Sequence, residues 1–491
     1  MLNHEIYERA RLSRDARFDG RFYVGVRTTG IYCRPICPAV SPKSENVTFY
    51  PSAAAAGEAG YRPCLRCRPE CAPGTPAWSG TSTTVRRGLR LIAGGALNDG
   101  SIENLADRLG VTSRHLRRLF AKHLGASPLA VAHTQRLHFA KRLIDQSDLP
   151  MSDIATAAGY RSVRRFNDAF RKTYDRSPRE LRRHSAEPVK SGGTLTVKLP
   201  WRMPFDWAAM LDFLAGRATP AVEQVIGESY FRTIRIDERV AVIECRPDPA
   251  GDSLCLSLHG VATISLFPLV QRIREIFDLD APVDDIGNVL SADKLLAKLL
   301  RARAGIRVPG AWDGFELTVR AILGQQISVR AATTLAGRIA GRYGRPVSLP
   351  DSLSARDKDL QLARLFPTPE RLSRAQFNGI GITGSRAETI RRVARAAATG
   401  NLDFDASHDP EEFRQSLLTI PGIGEWTAQY VAMRGLKDPD AFPATDLGLI
   451  KAIGASGSVG ARDLRSYAEA WRPWRAYAAM LLWSSLSNSG G

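Results

Sequence analysis

The segment Leu418-Thr-Ile-Pro-Gly-Ile-Gly-Glu-Trp-Thr-Ala428 decides the fold of the C-terminal part of this 491-residue chain. It places a Pro-Gly-x-Gly turn between two stretches of helical periodicity, which predicts a helix-hairpin-helix. Gly422 and Gly424 carry no side chain, so their backbone N–H groups can approach a phosphate closely. Asp446 follows 22 residues after Gly424, where its carboxylate would face the sugar beside that phosphate. The plainer alternative is an ordinary helix C-cap at the turn and a helix N-cap at Asp446.

The composition indicates a multidomain protein that binds a polyanion. The formal net charge is +18 and the pI is about 9.9. Residues 1–190 hold 32 Lys and Arg against 17 Asp and Glu, so most of the net positive charge lies in this N-terminal part. No apolar run has the length of a membrane span, and the N-terminus lacks a signal-peptide pattern. We therefore expect a cytoplasmic protein that associates with the nucleoid and has no membrane partner.

Pro- and Gly-rich stretches predict linkers at 72–80 and 185–193. With the changes in periodicity, they predict a mainly α multidomain protein with α+β parts. The expected domains are a small cysteine-rich α/β domain, a double helix-turn-helix domain, an α+β domain and an all-α helix-hairpin-helix bundle, at residues 1–75, 84–184, 194–285 and 289–491. Strands are expected in the third domain at Thr194–Leu199, Tyr230–Ile236, Val240–Cys245 and Leu254–Leu258, and helices near Phe205–Ala218 and Val270–Phe277.

Four of the seven cysteines form two pairs with the spacing of metal ligands. The pairs are Cys33-x3-Cys37 and Cys64-x2-Cys67, separated by 26 residues. In a reducing compartment such clustering favours metal over disulfides. Four thiolates suit one tetrahedral Zn²⁺ ion. A purely structural zinc site is the alternative to a reactive one.

Residues around the cysteine pairs resemble the N-terminal domain of the Ada adaptive-response protein. The resemblance is carried by Phe22-Tyr-Val-Gly-Val-Arg-Thr-Thr-Gly-Ile-Tyr-Cys33-Arg-Pro and by Gly60-Tyr-Arg-Pro-Cys64-Leu-Arg-Cys67. It implies that Cys33 accepts a methyl group from a DNA methylphosphotriester. Methylation would change the formal charge of a zinc–thiolate cluster from −2 to −1 and strengthen DNA binding. Cys71 has no place in the family's quartet and is interpreted as a bystander.

Two segments share the plan of a helix, a glycine turn and a second helix begun by a Ser or Thr cap. They are residues 101–120 and 151–170, and the pair resembles the AraC-type DNA-binding domain. The resemblance implies that the second helix of each unit enters the major groove. For any single arginine, a contact with phosphate or simple solvation is expected more often than a contact with a base. Candidate DNA-contacting residues are Arg114, His115, Arg117, Arg118, Arg161, Arg164, Arg165 and Asn167. Expected core residues are Leu116, Leu119, Phe120, Phe166 and Phe170.

The C-terminal region from about 194 to 490 resembles the AlkA-type helix-hairpin-helix 3-methyladenine DNA glycosylases. Besides the hairpin and Asp446, the resemblance is carried by Thr318-Val-Arg-Ala-Ile-Leu-Gly-Gln-Gln-Ile-Ser-Val-Arg330 and Trp471-Arg-Pro-Trp-Arg-Ala-Tyr-Ala-Ala-Met-Leu-Leu-Trp483. It implies that Asp446 is the catalytic carboxylate. Trp426, Tyr430 and Trp483 would stack on the extruded base, with Thr427 among the DNA-binding residues of the hairpin. The alternative is that these aromatic residues are core.

Three positions refine this resemblance. Trp426 stands where bifunctional relatives have a Schiff-base lysine, so we expect a monofunctional hydrolase. No cysteine follows Cys255, so we expect no iron–sulfur cluster. Gln326 stands where an apolar residue fills the gap left by the flipped base, and it would insert and hydrogen-bond instead.

The sequence therefore predicts a DNA alkylation repair and response protein. Its expected activities are a monofunctional DNA-3-methyladenine glycosylase II activity, methyl acceptance at a one-zinc site, and sequence-specific DNA binding. Expected partners are double-stranded DNA with alkylated sites or promoter sequences, and RNA polymerase is a candidate partner. Two alternatives remain open: a transcription regulator with a degenerate glycosylase domain, and a glycosylase whose zinc is only structural.

Overall fold

The computed structural model describes residues 4–73, 83–147, 149–182, 194–236, 239–260, 266–350, 353, 359–404, 408–454 and 460–487. The chain divides into two compact units. Unit 1 comprises Met1–Arg202, Asp248–Ser257 and Val261–Arg274, and unit 2 comprises Met203–Pro247, Leu258–Gly260 and Glu275–Gly491. Most of the first predicted linker and all of the second lie outside the described residues. The four predicted domain boundaries stay predictions.

The N-terminal part of unit 1 is a four-stranded sheet with two helices. Its strands have the order β3-β1-β2-β4, with β1 antiparallel to β2 and β3, and β2 parallel to β4. Aromatic side chains fill one core cluster, in which the Tyr7 ring stacks on Phe22 at a centroid distance of 4.2 Å. The elements are α1 His4–Leu12, β1 Tyr23–Val26, β2 Ile31–Cys33, β3 Val47–Tyr50, α2 Ala53–Glu58 and β4 Arg62–Pro63.

Eight helices follow in unit 1 and contain both helix-turn-helix units. The helices are α3 Thr83–Ala93, α4 Ala96–Asp99, α5 Ile102–Arg108, α6 Ser113–Leu124, α7 Pro128–Gln146, α8 Met151–Ala157, α9 Val163–Tyr174 and α10 Pro178–Leu181. Gly110 (φ +69°) and Gly159 (φ +78°) make the turns that only glycine adopts readily. The Thr112 and Ser162 side chains accept hydrogen bonds from the backbone N–H groups of His115 and Arg165, so they cap α6 and α9.

The predicted core of the two helix-turn-helix units is observed with one difference. Leu116, Phe120, Phe166 and Phe170 are fully buried. Leu119 is only partly buried and packs at the edge of the cluster, because its position on the helix lies beside the central apolar stripe.

Strands of the predicted α+β region occur in both units. β5 Thr194–Pro200 and β9 Ser253–His259 are neighbours, and the Thr196 and Ser257 hydroxyls lie 2.9 Å apart in unit 1. In unit 2, β6 Glu223–Ile226, β7 Ser229–Ile236 and β8 Arg239–Pro247 form an antiparallel meander. The predicted strands are thus present, and β6 is additional. The helices are α11 Trp207–Ala215 and α12 Leu266–Ile276.

Helices make up the rest of unit 2, which confirms the predicted mainly α class with α+β parts. The bounds are α13 Val283–Leu290, α14 Lys294–Ala302, α15 Gly314–Leu323, α16 Val329–Tyr343, α17 Pro369–Ser373, α18 Gly384–Ala398, α19 Pro410–Leu418, α20 Glu425–Arg434, α21 Leu447–Ile453, α22 Ala461–Tyr467 and α23 Arg475–Ser487. The core runs along the inner faces of α15, α16, α18 and α20. In the described part of the chain, no helix has the length and apolar character needed to cross a membrane.

A buried ionic network fixes α15 against the meander inside unit 2. Arg232 Nη1 lies 3.1 Å from Glu223 Oε2 and its other terminal nitrogen pairs with Glu316. Arg320 Nη1 lies 2.6 Å from Glu223 Oε1 and 3.1 Å from Glu316 Oε1. Each charge therefore has partners of opposite sign, as a buried ion requires. The network sets the direction of α15, whose C-terminal end leads directly into Gln325 and Gln326.

Candidate functional site

The predicted helix-hairpin-helix is formed by α19, the turn and α20. Gly422 has φ +95°, and a Cβ there would collide with Thr389 Oγ1, so this position needs glycine for two reasons. Gly424 has φ −103° and is the N-cap of α20, with open space where a Cβ would lie. The first N–H groups of α20 have no partner within the helix, so the turn presents backbone donors beside an open surface. Such donors suit an anion such as a DNA phosphate.

Three polar side chains brace this turn, and two of them were missed by the sequence interpretation. Gln325 Nε2 donates to Gly422 O at 3.0 Å and to Thr427 Oγ1 at 3.1 Å. Thr389 Oγ1 donates to Pro421 O at 3.1 Å. Thr427 was predicted to bind DNA, but its side chain is buried, so only its backbone in the first turn of α20 is available for that role. Gln325 and Thr389 gave no signal because their contacts with the turn are remote in sequence.

Asp446 lies at the centre of the candidate catalytic group. Its Oδ2 accepts a hydrogen bond from Trp426 Nε1 at 2.7 Å, and its Oδ1 accepts one from Trp483 Nε1 at 2.9 Å. Oδ1 also accepts the backbone N–H of Leu449 at 3.0 Å, so Asp446 is the N-cap of α21 as the plainer alternative required. Asp446 can be both a helix N-cap and a catalytic carboxylate. The backbone N–H of Leu449 and the two indole N–H groups hold the carboxylate in one orientation that serves both roles.

The predicted base-binding aromatics are brought together. Trp426 and Tyr430 stack with ring centroids 5.0 Å apart and planes 10° apart. Tyr430 and Trp483 meet edge to face at 6.3 Å. Trp426 and Tyr430 also pack against the core cluster, so the alternative core interpretation accounts for part of their burial. The three rings form one wall beside Asp446 that offers faces and edges to a flat ligand.

The positively charged Arg434 contacts this wall of rings, and it was not identified from the sequence. Arg434 Nη1 donates to Tyr430 Oη at 2.5 Å. Burial raises the pKa of Tyr430, but the guanidinium charges of Arg434 and Arg217 and the Arg434 hydrogen bond outweigh burial, so this pKa is lowered. Arg434 lies one helical turn beyond Tyr430, so its contact with Tyr430 can be predicted only once the helix α20 is known.

Gln326 occupies an exposed loop between α15 and α16 in a left-handed conformation, with φ +57°. Few residues other than Gly, Asn and Asp adopt this region, so the conformation marks local strain. Arg386 supports the loop by donating to Gln325 O. Among the described residues, the Gln326 side chain makes no hydrogen bond, which leaves its amide available to an external partner.

The cysteine pairs converge on one point. The four Sγ atoms of Cys33, Cys37, Cys64 and Cys67 all lie within 4.8 Å of one another. Because β2 and β4 are parallel, with Tyr32 opposite Pro63, Cys33 at the end of β2 and Cys64 directly after β4 lie at the same edge of the sheet. This donor set fits Zn²⁺, which takes four sulfurs in a tetrahedron.

Hydrogen bonds to sulfur and the exposure of the thiols distinguish the four positions. Backbone N–H groups donate to the two buried sulfurs, from Arg34 to Cys67 at 3.3 Å and from Arg66 to Cys64 at 3.4 Å. Cys33 and Cys37 are partly exposed. The hydrogen bond with Cys33 lowers the pKa of the Cys37 thiol to about 7. By residue exposure, Cys33 and Cys37 are therefore more accessible than Cys64 and Cys67 to a bulky substrate such as DNA.

Cys71 stands apart from these four sulfurs. It lies at the end of the 3-10 helix Pro69–Cys71 and is not part of the metal-ligand group. Burial raises the pKa of its thiol, as expected for a cysteine that packs as a small apolar side chain.

The helix-turn-helix units expose the predicted basic residues. Arg114, Arg117 and Arg118 are exposed on α6, and Arg164 and Arg165 are exposed on α9. Arg161 is exposed but precedes the Ser162 cap, so it lies before the helix rather than on it. Two of these arginines already contact other side chains of the protein. Arg117 lies 3.4 Å from Glu103, and Arg118 contacts His115 Nδ1 at 3.0 Å.

Comparisons with known families agree with this geometry. Residues 7–70 match the metal binding domain of Ada, 105–184 a helix-turn-helix domain, 196–313 the AlkA N-terminal domain, and 319–476 the HhH-GPD superfamily base excision DNA repair protein. Together these matches define the class: a base excision DNA repair protein fused to metal-binding and DNA-binding domains.

Similar proteins identify the particular family. The "Probable bifunctional transcriptional activator/DNA repair enzyme AlkA" of Mycobacterium tuberculosis is 40% identical, over 99% of this chain and 97% of that protein. The chain belongs to this family of bifunctional transcriptional activator/DNA repair proteins. The "DNA-3-methyladenine glycosylase 2" of Escherichia coli is 37% identical over 58% of this chain and 95% of that protein. The solved 3-methyladenine DNA-glycosylase of Archaeoglobus fulgidus shares the fold, with TM-score 0.51 and 23% identity over 58% of this chain and 96% of that one.

Proposed function

We propose that this protein hydrolyses the N-glycosidic bond of alkylated purines of the 3-methyladenine type in DNA. The observation that carries the proposal is the Asp446 carboxylate held by two indole N–H groups, 2.7 Å from Trp426 and 2.9 Å from Trp483. A carboxylate fixed beside a wall of aromatic rings provides the two requirements of this reaction, a negative charge for the sugar and a stacking surface for the base.

The reaction begins with DNA gripped at the hairpin and the base turned out of the helix. Gly424 and the first turn of α20 contact a backbone phosphate, which fixes the damaged nucleotide without reading its sequence. Trp426, Tyr430 and Trp483 stack on the extruded base. Gln326 enters the gap in the duplex, where its amide hydrogen-bonds the unpaired partner base and replaces an apolar wedge.

Bond breakage then separates charge across the site. The electron pair of the C1′–N bond leaves with the base, and Asp446 stabilises the cationic sugar that develops. Asp446 orients a water molecule, whose hydroxyl adds to C1′ and whose proton passes to the solvent. Trp426 occupies the position of a Schiff-base lysine, so the enzyme hydrolyses the bond without a covalent intermediate. The expected absence of an iron–sulfur cluster rests on the sequence.

For the cysteine site we propose one Zn²⁺ ion, held by Cys33, Cys37, Cys64 and Cys67, and methyl acceptance at Cys33. Bound zinc keeps thiolates deprotonated and nucleophilic at neutral pH. The Cys33 Sγ attacks the methyl carbon of a methylphosphotriester, a new S–C bond forms, and the phosphodiester leaves with the electrons of the broken O–C bond. Partial exposure of Cys33 supports this assignment over the buried Cys64 and Cys67.

We further propose that methylation controls DNA binding by the helix-turn-helix units. The cluster loses one negative charge when Cys33 is methylated, which reduces its repulsion from DNA. The exposed arginines of α6 and α9 then bind promoter DNA, and RNA polymerase is the proposed partner of that complex. The domain boundaries at 1–75, 84–184, 194–285 and 289–491 belong to this proposal.

One experiment tests both activities. Full-length zinc-loaded protein is incubated with duplex DNA methylated by a simple alkylating agent, and released bases and protein mass are measured together. The proposal expects free 3-methyladenine and one added methyl group on the peptide containing Cys33. No base release would favour a transcription regulator with a degenerate glycosylase domain. Base release without an increase in protein mass would support the alternative of a glycosylase whose zinc is only structural.

A further inference from the structure

The loop between α15 and α16 contains two adjacent glutamines in different environments. Gln325 is half-buried, and its side-chain Nε2 donates to Gly422 O at 3.0 Å and to Thr427 Oγ1 at 3.1 Å. Gln326 is exposed and adopts the left-handed backbone conformation, with φ +57°. A strained residue persists only where the surrounding structure holds it firmly, so the contacts of its neighbours explain why Gln326 stays in this conformation.

Contacts on both sides of Gln326 hold the loop. The Gln325 carbonyl accepts a hydrogen bond from Arg386 on α18. On the other side, Ile327 packs against the core cluster of unit 2, and Ser328 is the N-cap of α16. Gln326 therefore lies between two anchored neighbours.

The hairpin turn is connected to the same helix as the loop. Thr389 lies about one turn of α18 beyond Arg386, and its Oγ1 is 3.1 Å from Pro421 O. The loop and the turn are thus connected directly by the Gln325 side chain and indirectly by α18. A shift of the turn relative to Gln326 would break the two Gln325 hydrogen bonds, so the Gln325 side chain fixes the separation between them.

Base extrusion makes this separation important. The proposed reaction needs a phosphate held at the turn while Gln326 fills the gap that the extruded base leaves. The inserted side chain stabilises the extruded state only if it reaches the gap while the phosphate stays bound. A misplacement of about 1 Å is enough to lower a rate by on the order of 10². A loop held at a fixed distance from the turn also avoids the entropic cost of being ordered at each extrusion.

We propose that Gln325 is a positioning residue that couples phosphate binding at the hairpin to insertion of Gln326 into the duplex. This inference rests on the proposed glycosylase function and adds a residue to it. Gln325 acts through Gln326 and not on the damaged base or the reacting bond. Its contribution should be largest where a base pair has to be broken, since extrusion costs least for a base that is already unpaired.

The test places one methylated DNA strand in two duplexes. The strand contains a single adenine, is treated with a simple methylating agent, and is annealed with either thymine or a stable abasic-site analogue opposite that adenine. Release of 3-methyladenine is measured in single turnover with saturating full-length zinc-loaded protein, so that weaker DNA affinity does not lower the rate.

Gln325→Met keeps the length of the side chain and removes its amide. We expect its rate opposite thymine to fall about tenfold, because two hydrogen bonds that hold the loop are lost. Its rate opposite the abasic-site analogue should fall less than about threefold. The ratio of the thymine rate to the abasic-site rate is therefore the quantity that changes.

Two further variants identify the residue through which Gln325 acts. Gln326→Ala should lower the same ratio, and adding Gln325→Met to it should slow release opposite thymine by less than about a further twofold. Thr427→Val removes one of the two acceptors, keeps the shape of the side chain, and should lower the ratio by about threefold. This variant keeps the inference testable if Gln325→Met folds poorly.

Gln224 provides a matched control within unit 2. Its Nε2 donates to Asp359 O at 2.9 Å, and its Oε1 accepts the backbone N–H of Gln361 at 2.8 Å. Gln224→Met therefore also removes two hydrogen bonds of a glutamine side chain, at a place that shares no residue with the hairpin or the loop. We expect it to leave the ratio of the two rates unchanged.

The outcomes separate the inference from the function on which it rests. Unchanged rates in Gln325→Met, or equal losses in both duplexes, would overturn the inference, and equal losses would make Gln325 a structural residue. Additive losses in the double variant, or an unchanged ratio in Gln326→Ala, would overturn it too and leave the glycosylase function standing. No release of 3-methyladenine by the wild-type protein from either duplex would reject the glycosylase function itself.

Discussion

The cysteine group and the Asp446 group are assembled in opposite ways. The four sulfurs come from residues 33–67, and parallel pairing of β2 with β4 brings both pairs to one sheet edge. The Asp446 group joins α20, the start of α21 and α23, and the neighbouring turn is held by hydrogen bonds from the loop after α15 and from α18. A site built from residues close in sequence can be predicted from the spacing of those residues. A site assembled from distant elements depends on how the whole core of its unit packs. Removing one ligand should therefore act locally in the first group, and changing one brace should act at a distance in the second.

The largest expected effect is loss of zinc in Cys64→Ser. A site with three thiolates loses the tetrahedral donor set, and a small metal-dependent fold draws its stability from the ion. Metal analysis should show one zinc per wild-type chain and close to none in the variant. Cys71→Ser is the matched control and should keep its zinc. Undiminished zinc in Cys64→Ser would overturn the ligand set.

Asp446→Asn should reduce base release by on the order of 10² or more, because an amide lacks the full negative charge at the developing cation. Asparagine also caps helices well, but its single side-chain oxygen can accept only one of the two indole N–H groups, so the unfolding free energy should fall by about 1–2 kcal/mol. Single-turnover excision of 3-methyladenine measures the rate, and urea unfolding checks the fold. Excision near the wild-type rate would remove Asp446 from the catalytic role.

The two hairpin glycines should separate stability from DNA binding. Gly422→Ala forces alanine into a left-handed conformation and against Thr389, so unfolding free energy should fall by at least about 1–2 kcal/mol. Gly424→Ala meets no atom in the folded protein, so it should cost less stability than Gly422→Ala, only the smaller loss from alanine at an N-cap, while weakening binding to undamaged duplex. Paired urea and DNA titrations measure both effects. Equal behaviour of the two variants would show that the turn has a single role.

The smallest effect concerns acid stability of unit 1. His138 lies on α7 and is partly buried, its Nε2 lies 2.9 Å from the Tyr32 hydroxyl, and this burial lowers its pKa to about 3. The unfolded chain binds a proton near pH 6.5 and the folded chain does not, so stability falls as pH drops from about 6.5 toward 3. At pH 5.5 the expected loss is about 1 kcal/mol.

His138→Asn removes this titration while keeping a polar side chain for Tyr32. The slope of unfolding free energy against pH between about 6.5 and 5 should therefore flatten in the variant. Urea unfolding of the variant and wild-type protein at several pH values measures the two slopes. Identical slopes would mean that His138 binds protons equally in the folded and unfolded states over that range.

Much of the fold follows from patterns in the chain, and the failures have physical causes. β7 and β8 are apolar and β-branched, so their positions are evident, whereas Glu223–Ile226 is short and begins with two polar residues. The cysteine group follows from spacing, and the hairpin follows from its two glycines. Gln325, Thr389 and Arg434 could not be found in this way, since their partners are set by tertiary packing. The left-handed Gln326 is likewise imposed by the loop between α15 and α16.

Asp446 caps α21 and is also the proposed catalytic carboxylate, and the two roles make different demands on the side chain. Capping requires only a short polar side chain, so Ser, Thr or Asn would also cap α21. None of these residues would offer two charged oxygens to the indole N–H groups of Trp426 and Trp483. A cap needs neither tryptophan. The pairing of Asp446 with both indoles therefore goes beyond what helix capping requires, and it is the feature that a protein confined to regulation could lose.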